Sequence, residues 1–453
     1  MIDPIFFACL LLPLVAIGAR KAQKIQKEET YLFADRSTSF LSLSSTLVMT
    51  EFNPSTLISF ASLGYLAGMR ALLLPLVFLI GLLFYGITVA KKYKQSDAAS
   101  VCFLFREKYG KNFSRISCIF LLLAMIGFSA TYVKSLSLIF SPLVPQVSHW
   151  IISALVVGLT LWMTLRGGLV SIIRTDLGSF LLTFILIPAL FFFTSSSSSQ
   201  LEPKHFANTE QILNTPFILS LIVLTMFTYI LAPWYGQKIF SAKSEKVAFT
   251  SVLFSAFCVF LLYGLIVIAA AFLKTTLDLA HPEKALPSLI QRSPLGWKGA
   301  LYAFLFLAGA TTLSGVWNAM TSLFIAEFCT RSDEQDFHRS YWTTLTFSMV
   351  SFLLAHIFVD SVFDKLILAN IPVLALSFSL LAGFYWKGSR TTGAYLSALT
   401  GFFWGIFCYG YWGEDRIYIW YWVMGGIPLI FITGILGSLW ETGKVTLVNV
   451  DES

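Results

Sequence analysis

Charge is what this sequence has least of. Asp, Glu, Lys and Arg make up 12% of its 453 residues, about half the roughly 25% of an ordinary soluble domain. Hydrophobic residues reach 57%, and stretches of 18 or more mostly apolar residues recur along the whole length. That pattern excludes a water-soluble fold and identifies an integral membrane protein. Cysteine is scarce too. Cys9, Cys102, Cys118, Cys258, Cys329 and Cys408 include no CxxC pair, so neither a disulfide framework nor a zinc site is indicated. A Walker lysine loop is missing, as are the Asp-rich pairs that chelate Mg²⁺ in membrane prenyltransferases. His356 has no Asn or Asp pattern in reach that would suit an acyltransferase. The chain is therefore expected to be no enzyme and to carry no cofactor.

The net charge of +7 could suggest a nucleic-acid partner, but the placement of the charges argues against one. Backbone polar groups in hydrocarbon must pair within their own segment, so repeated spans of about 20 residues mean a helical bundle. Thirteen spans are expected, at roughly 2–19, 38–66, 70–90, 113–141, 147–165, 169–194, 212–236, 248–274, 298–328, 341–359, 363–386, 392–411 and 417–440. With the amino terminus outside, most Lys and Arg fall in cytoplasmic loops: 20–36, 91–115, Arg166 and Arg174, then Lys238, Lys243 and Lys246. Arg331, Arg339, Lys387, Arg390 and Lys444 follow. The positive-inside rule thus gives an N-out, C-in, multi-pass protein of the plasma or inner membrane. The first span is no cleavable signal, because Asp3 precedes its apolar run and Arg20, Lys21 and Lys24 follow it.

Two helices carry polar groups where lipid-facing residues would be apolar. Leu301 to Thr330 bears Thr311, Ser314, Gly315, Asn318, Thr321 and Ser322 at three- to four-residue spacing, one face of a helix. Its paired hydroxyls Thr311 and Thr312, one turn after Ala308, suit a small hard cation. Leu43 to Tyr65 has Pro54 near mid-membrane, which removes a donor and frees carbonyls a turn earlier. Glu51, Phe52 and Asn53 directly precede it. A carboxylate at that depth costs about 2.5–3.5 kcal/mol on insertion scales and marks function, unless it is protonated or paired inside the bundle. Spans 38–194 and 212–386 form two sets of five with similar lengths. An odd number per set forces opposite orientation, the topology of inverted repeats with sites at the bilayer midplane.

Five segments in register resemble the sodium–solute symporter family, which carries sugars, proline, pantothenate and other organic solutes on a LeuT-type fold. They are YLFADRS (31–37), GGLVSIIRTDLGSF (167–180), QKIFSAKSEKVA (237–248), ATTLSGVWNAMTSLFIAEF (310–328) and GFYWKGSRTTGAYLSALTG (383–401). The resemblance implies an all-α integral membrane protein of about 13 transmembrane helices. Its 5+5 inverted repeat would have one extra N-terminal and two extra C-terminal helices. The corresponding parts are 1–37 (extra helix and cytoplasmic loop), 38–195 and 196–388 (first and second repeats), and 389–453 (two helices and a short tail). It also implies a sodium site from the carbonyls of Met49, Phe52 and Ala308 with the hydroxyls of Thr311 and Thr312. Asp176 would stand near the cytoplasmic ion exit, although a helix-start acid favoured by the macrodipole would look the same. Solute contacts would come from Glu51, Asn53, Ser55, Thr225, Thr228 and Tyr229. Thr225 and Thr228 could equally back-bond to their own helix.

The expected activity is secondary active symport, by alternating access, of sodium and a small organic solute into the cytoplasm. The polar ligands that sugar carriers place on the second core helix fall here at Pro75 and Phe78. Glu51 with Tyr229 and Trp234 nearby suits an amino acid or amine better, through cation–π contact. Glu51 leaves proton coupling as one alternative, and a non-transporting solute sensor of the same fold as another. The expected partners are sodium, the solute and the lipid bilayer, with no nucleic acid and no metal other than sodium.

Overall fold

The computed structural model describes residues 3, 5, 7–13, 36–96, 100–196, 206, 209–329, 337–413 and 416–451. Most of YLFADRS, the charges at 20–35 and Arg331 lie outside the described residues. The principal helices are α1 (Phe40–Glu51), α2 (Pro54–Ala67), α3 (Leu73–Tyr85), α4 (Lys111–Phe140) and α5 (His149–Ser196). They continue as α6 (Thr215–Tyr229), α7 (Pro233–Phe240), α8 (Glu245–Lys274), α9 (Trp297–Phe328) and α10 (Phe337–Ile357). The last are α11 (Ser377–Tyr385), α12 (Thr391–Trp412) and α13 (Gly426–Asp451). No strand occurs among the described residues; one isolated parallel bridge joins Thr38 to Ala242.

Seven of the described helical segments are long and apolar enough to cross a membrane. An eighth results if Val362–Ala375 and Ser377–Tyr385, bent by 41°, form one span. The thirteen expected spans do not map one to one onto these. The expected loop at 166–168 is helical, so 147–165 and 169–194 run as the single helix α5. Its 48 residues reach about 72 Å at 1.5 Å per residue, too long for one crossing of a ~30 Å hydrocarbon layer. Accordingly its apolar content divides into His149–Leu165 and Ile172–Ser196.

Large apolar side chains such as Ile87, Leu155, Phe192, Leu261 and Phe403 point outward, as a lipid-facing surface requires. Helix α9 does the reverse: its most apolar window is wholly buried within the protein. That explains how its polar stripe is tolerated, because the stripe meets other helices and not lipid. Small residues permit the close approach. A Cβ on Gly309 of α9 would lie 2.5 Å from the Leu136 side chain of α4 and 2.9 Å from Pro54. A Cβ on Gly64 of α2 would lie 2.6 Å from the carbonyl oxygen of Val267 in α8.

The first core helix is broken where Pro54 predicts. Helix α1 ends at Glu51, and Asn53 adopts extended backbone (φ −84°, ψ 157°) as the N-cap of α2. Its side-chain oxygen accepts the Thr56 N–H at 2.9 Å and the Thr56 hydroxyl at 3.1 Å, the capping geometry that favours Asn before a Pro-initiated helix. A second break separates α6 from α7 at residues 230–232, again before a proline at the first helical position.

Candidate cation and solute site

Breaking a helix leaves the carbonyls of its last turn without intrahelical donors, and the partners they find define the site. Val48 O accepts the Phe52 N–H at 2.9 Å. Glu51 O accepts the Asn53 N–H at 2.6 Å and the Asn53 side-chain amide at 3.0 Å, and also the Tyr263 hydroxyl. Met49 O turns to α9, where the Thr312 hydroxyl lies 3.0 Å away. The same hydroxyl is 2.8 Å from Ala308 O, and the Thr311 hydroxyl is 3.4 Å from it. All four residues are buried. Because one hydroxyl proton satisfies one acceptor at a time, this group of oxygens holds more lone pairs than protons. Met49, Ala308, Thr311 and Thr312 are thus brought together. Phe52 is adjacent, its ring stacked on Tyr263 at a centroid distance of 4.9 Å, and no described contact links its carbonyl to the threonines.

Asp176 lies beside this cluster. It is buried in α5 and its Oδ2 accepts the Thr46 hydroxyl at 2.5 Å; Thr311 stands near the same carboxylate. Its partner is a cation that the charge pattern alone places in a cytoplasmic loop. Lys238, counted there with the cytoplasmic loop charges, is 2% exposed in α7, with Nζ 3.6 Å from Asp176 Oδ2. The ammonium donates to Thr46 O at 2.9 Å and to the Thr50 hydroxyl. The physical reason for this correction is the second helix break. The span read as 212–236 does not stop there, because Pro233 starts a short, wholly buried helix that carries Lys238 inward.

Toward α6, Glu51 faces a cavity of about 110 Å³ lined by residues of both broken helices. Its Oε2 accepts the Tyr229 hydroxyl at 2.6 Å, and Tyr235 approaches the same carboxylate. Asn53, Thr225, Thr228 and Tyr229 line the cavity, as do Trp234 and Phe78. Thr225 and Thr228 also donate back to their own helix, to Leu221 O and Leu224 O, each at 2.9 Å. Ser55 is not among the lining residues; it bonds Thr131 at 3.2 Å and Ser135 at 3.0 Å on α4. Tyr132 and Asn370 also line the cavity and were not anticipated. Each is one polar residue among several in its span, so nothing local singles it out without the fold.

No protein-family model matches the chain. Among solved structures, it superposes on a Na⁺-coupled sialic acid symporter in a substrate-bound, outward-open state. The TM-score is 0.78, covering 97% of this chain and 98% of that one at 16% identity. The resemblance to the sodium–solute symporters holds. A sodium/glucose cotransporter of Vibrio parahaemolyticus is 21% identical over 468 residues, covering 90% of this chain and 84% of that protein. The all-helical symporter fold and the multi-pass membrane character are thereby established.

Proposed function

We propose that this protein is a sodium-coupled symporter that moves a small organic solute across the membrane by alternating access. The observation that carries the reading is the Thr312 hydroxyl, set between Met49 O of a broken helix and Ala308 O. Hard oxygen donors at an unwound helix are what a sodium ion prefers in this class of fold. Sodium would be held by the carbonyls of Met49, Phe52 and Ala308 and the hydroxyls of Thr311 and Thr312, pinning α1 to α9. Asp176, beside that cluster, would serve ion exit. Solute affinity would rise with sodium bound, and sodium affinity would rise with solute by the same factor.

The solute would occupy the cavity before Glu51, contacting Asn53, Thr225, Thr228 and Tyr229. That cavity is enclosed by side chains of both broken helices, so a compact solute fits best. A buried carboxylate with aromatic walls favours an amino acid or amine over a sugar. The glucose and sialic acid carriers named above lend that preference no support. The 5+5 inverted repeat over 38–195 and 196–388, the flanking parts 1–37 and 389–453, and the N-out orientation belong to the same proposal.

Proteoliposomes loaded with sodium-free buffer provide the test. An inward sodium gradient is expected to drive accumulation of one member of a panel of amino acids, amines, vitamins and sugars. Accumulation that is unchanged when choline replaces sodium, and that a proton gradient drives instead, would overturn the reading. Binding without counterflow would make the protein a sensor.

A further inference from the structure

The cavity before Glu51 is short of free hydrogen-bond donors. Among its lining residues Glu51 is the one charge, and none is Lys, Arg or His. The Lys238 ammonium, which bonds the lining residue Thr50, is already paired with Asp176. Asn370 spends its side-chain amide on Leu366 O at 3.0 Å, and Asn53 spends its own on Glu51 O at 3.0 Å. The Thr56 hydroxyl goes to Asn53 Oδ1, and those of Thr225 and Thr228 return to their own helix. What these groups retain is lone pairs. The Glu51 carboxylate accepts from Tyr229 and stands near Tyr235, which uses two of its roughly four acceptor positions. Donors without a described partner remain on Ser59, Tyr132 and Trp234, all of them neutral.

A solute carboxylate would need a cation, or the helix-start donors by which this class of fold receives anionic groups. Both helix starts are largely taken. Pro54 has no N–H, the Thr56 N–H goes to Asn53 Oδ1 at 2.9 Å, and the Leu57 N–H goes to Asn53 O at 3.1 Å. Pro233 has no N–H either, and Tyr235 and Gly236 both donate to Ala232 O, at 3.1 and 3.0 Å. The walls suit a cation instead. Phe60, Phe78 and Tyr229 stand edge to face in series, with centroids 5.1 and 5.8 Å apart, and aromatic rings attract an ammonium by cation–π contact. Leu221, Leu224 and Leu366 line the cavity too. Resting on the symporter reading, we propose that the transported solute is a monoamine with an apolar body and no carboxylate. Its ammonium lies against Glu51 and the rings of Phe78 and Tyr229, and its apolar part against the leucines. The N–H groups of the amine meet the lone pairs that the cavity retains, whereas a carboxylate would stand unpaired beside a like charge. The amino acid or amine of the symporter reading is thereby narrowed to the amine.

Matched sets of compounds test this through the thermal stability of the purified protein in sodium buffer. One set is isobutylamine, valine and isobutanol; the other is 2-phenylethylamine, phenylalanine and 2-phenylethanol. Within a set the body is shared and only the carboxylate or the charge changes. An amine is expected to raise Tm at about one tenth or less of the concentration its amino acid needs, and the alcohol to have no effect at the amine's concentration. Glu51→Gln is expected to lose the response to the amine and keep stabilisation by sodium. An amino acid or an alcohol that matches its amine overturns the proposal, and so does a wild type that neither amine stabilises; none of these outcomes needs Glu51→Gln to fold. Sodium-driven uptake of an amino acid or sugar, with no uptake of an amine, overturns it and leaves the symporter reading intact. An amine that stabilises equally in potassium buffer and is not accumulated on a sodium gradient overturns the symporter reading and leaves the amine site standing.

Discussion

Replacing Thr312 by Val removes one hydroxyl and leaves the volume of the side chain nearly unchanged, so the effect can be worked from the contacts it makes. Without sodium, the loss is one hydrogen bond to Met49 O, a carbonyl that the helix break has already deprived of its intrahelical donor. That costs about 1 kcal/mol, more if no water replaces the donor. Ala308 O keeps the backbone N–H that α9 supplies, so it adds little. With sodium, the loss is one ligand to a full charge, about 1.5–3 kcal/mol, or roughly 10- to 140-fold in sodium affinity at 1.4 kcal/mol per tenfold. The two numbers separate the hypotheses. The expected result is a small drop in thermal stability in choline buffer and a large rightward shift of the sodium concentration that stabilises the protein. Thr312→Ser keeps the oxygen and is expected to stay within a few-fold of wild type. A sodium dependence of Tm in Thr312→Val within threefold of wild type would refute the assignment of this cluster.

Glu51→Gln is expected to abolish solute-dependent stabilisation while sodium-dependent stabilisation survives; loss of both together would mean that the carboxylate serves structure alone. Tyr229→Phe removes the hydroxyl 2.6 Å from Glu51, and the charge-assisted bond of about 1.5–3 kcal/mol should appear as a higher solute KM with modest change in maximal rate. Gly309→Ala places a methyl 2.5 Å from Leu136 and should cost about 1–3 kcal/mol of overpacking, read as a lower Tm; an unchanged Tm would show that α4 and α9 part more easily than their contact suggests. On the connection between α8 and α9, burial pushes the Glu283 carboxyl above its ordinary value, while the Val362 N–H at 3.1 Å pulls it down. Stability from this group is complete below the ordinary glutamate pKa and falls as pH rises through the raised one. Glu283→Gln should therefore flatten that part of the Tm–pH curve, and an unaltered slope would refute the attribution.

The parts of the site written into local sequence were legible, and the parts made by long-range packing were not. Pro54 announces the first break because a proline interrupts hydrogen bonding wherever the rest of the chain goes. The Thr311–Thr312 pair is legible because helical spacing fixes its face. Ser55 shows the limit: two residues beyond Asn53 it rotates toward α4, and only the packing of Thr131 and Ser135 decides that direction. Lys238 shows another, because hydropathy ends a span at the first charge and cannot register that Asp176 waits 62 residues earlier in the chain. The continuous helix through 166–168 escaped notice for a related reason. Arg166 ends the apolar run at 165, yet a helix can continue through one charge and two glycines.

The parallel bridge between Thr38 and Ala242 has a bearing on how the protein is made. Thr38 N–H reaches Ser241 O at 2.9 Å, Lys243 N–H returns to Thr38 O at 2.9 Å, and the two hydroxyls meet at 3.0 Å across 203 residues of sequence. Closing a loop of that size costs on the order of 5 kcal/mol of chain entropy if the intervening segment is unstructured. Helices inserted one by one during synthesis lower that cost by restricting where the ends can be. Until α6 and then α7 emerge, Glu51 lacks Tyr229 and Asp176 lacks its ammonium. A nascent chain interrupted before that point would hold two uncompensated carboxylates in the bilayer, a marker by which membrane quality control could distinguish half-made copies from finished ones.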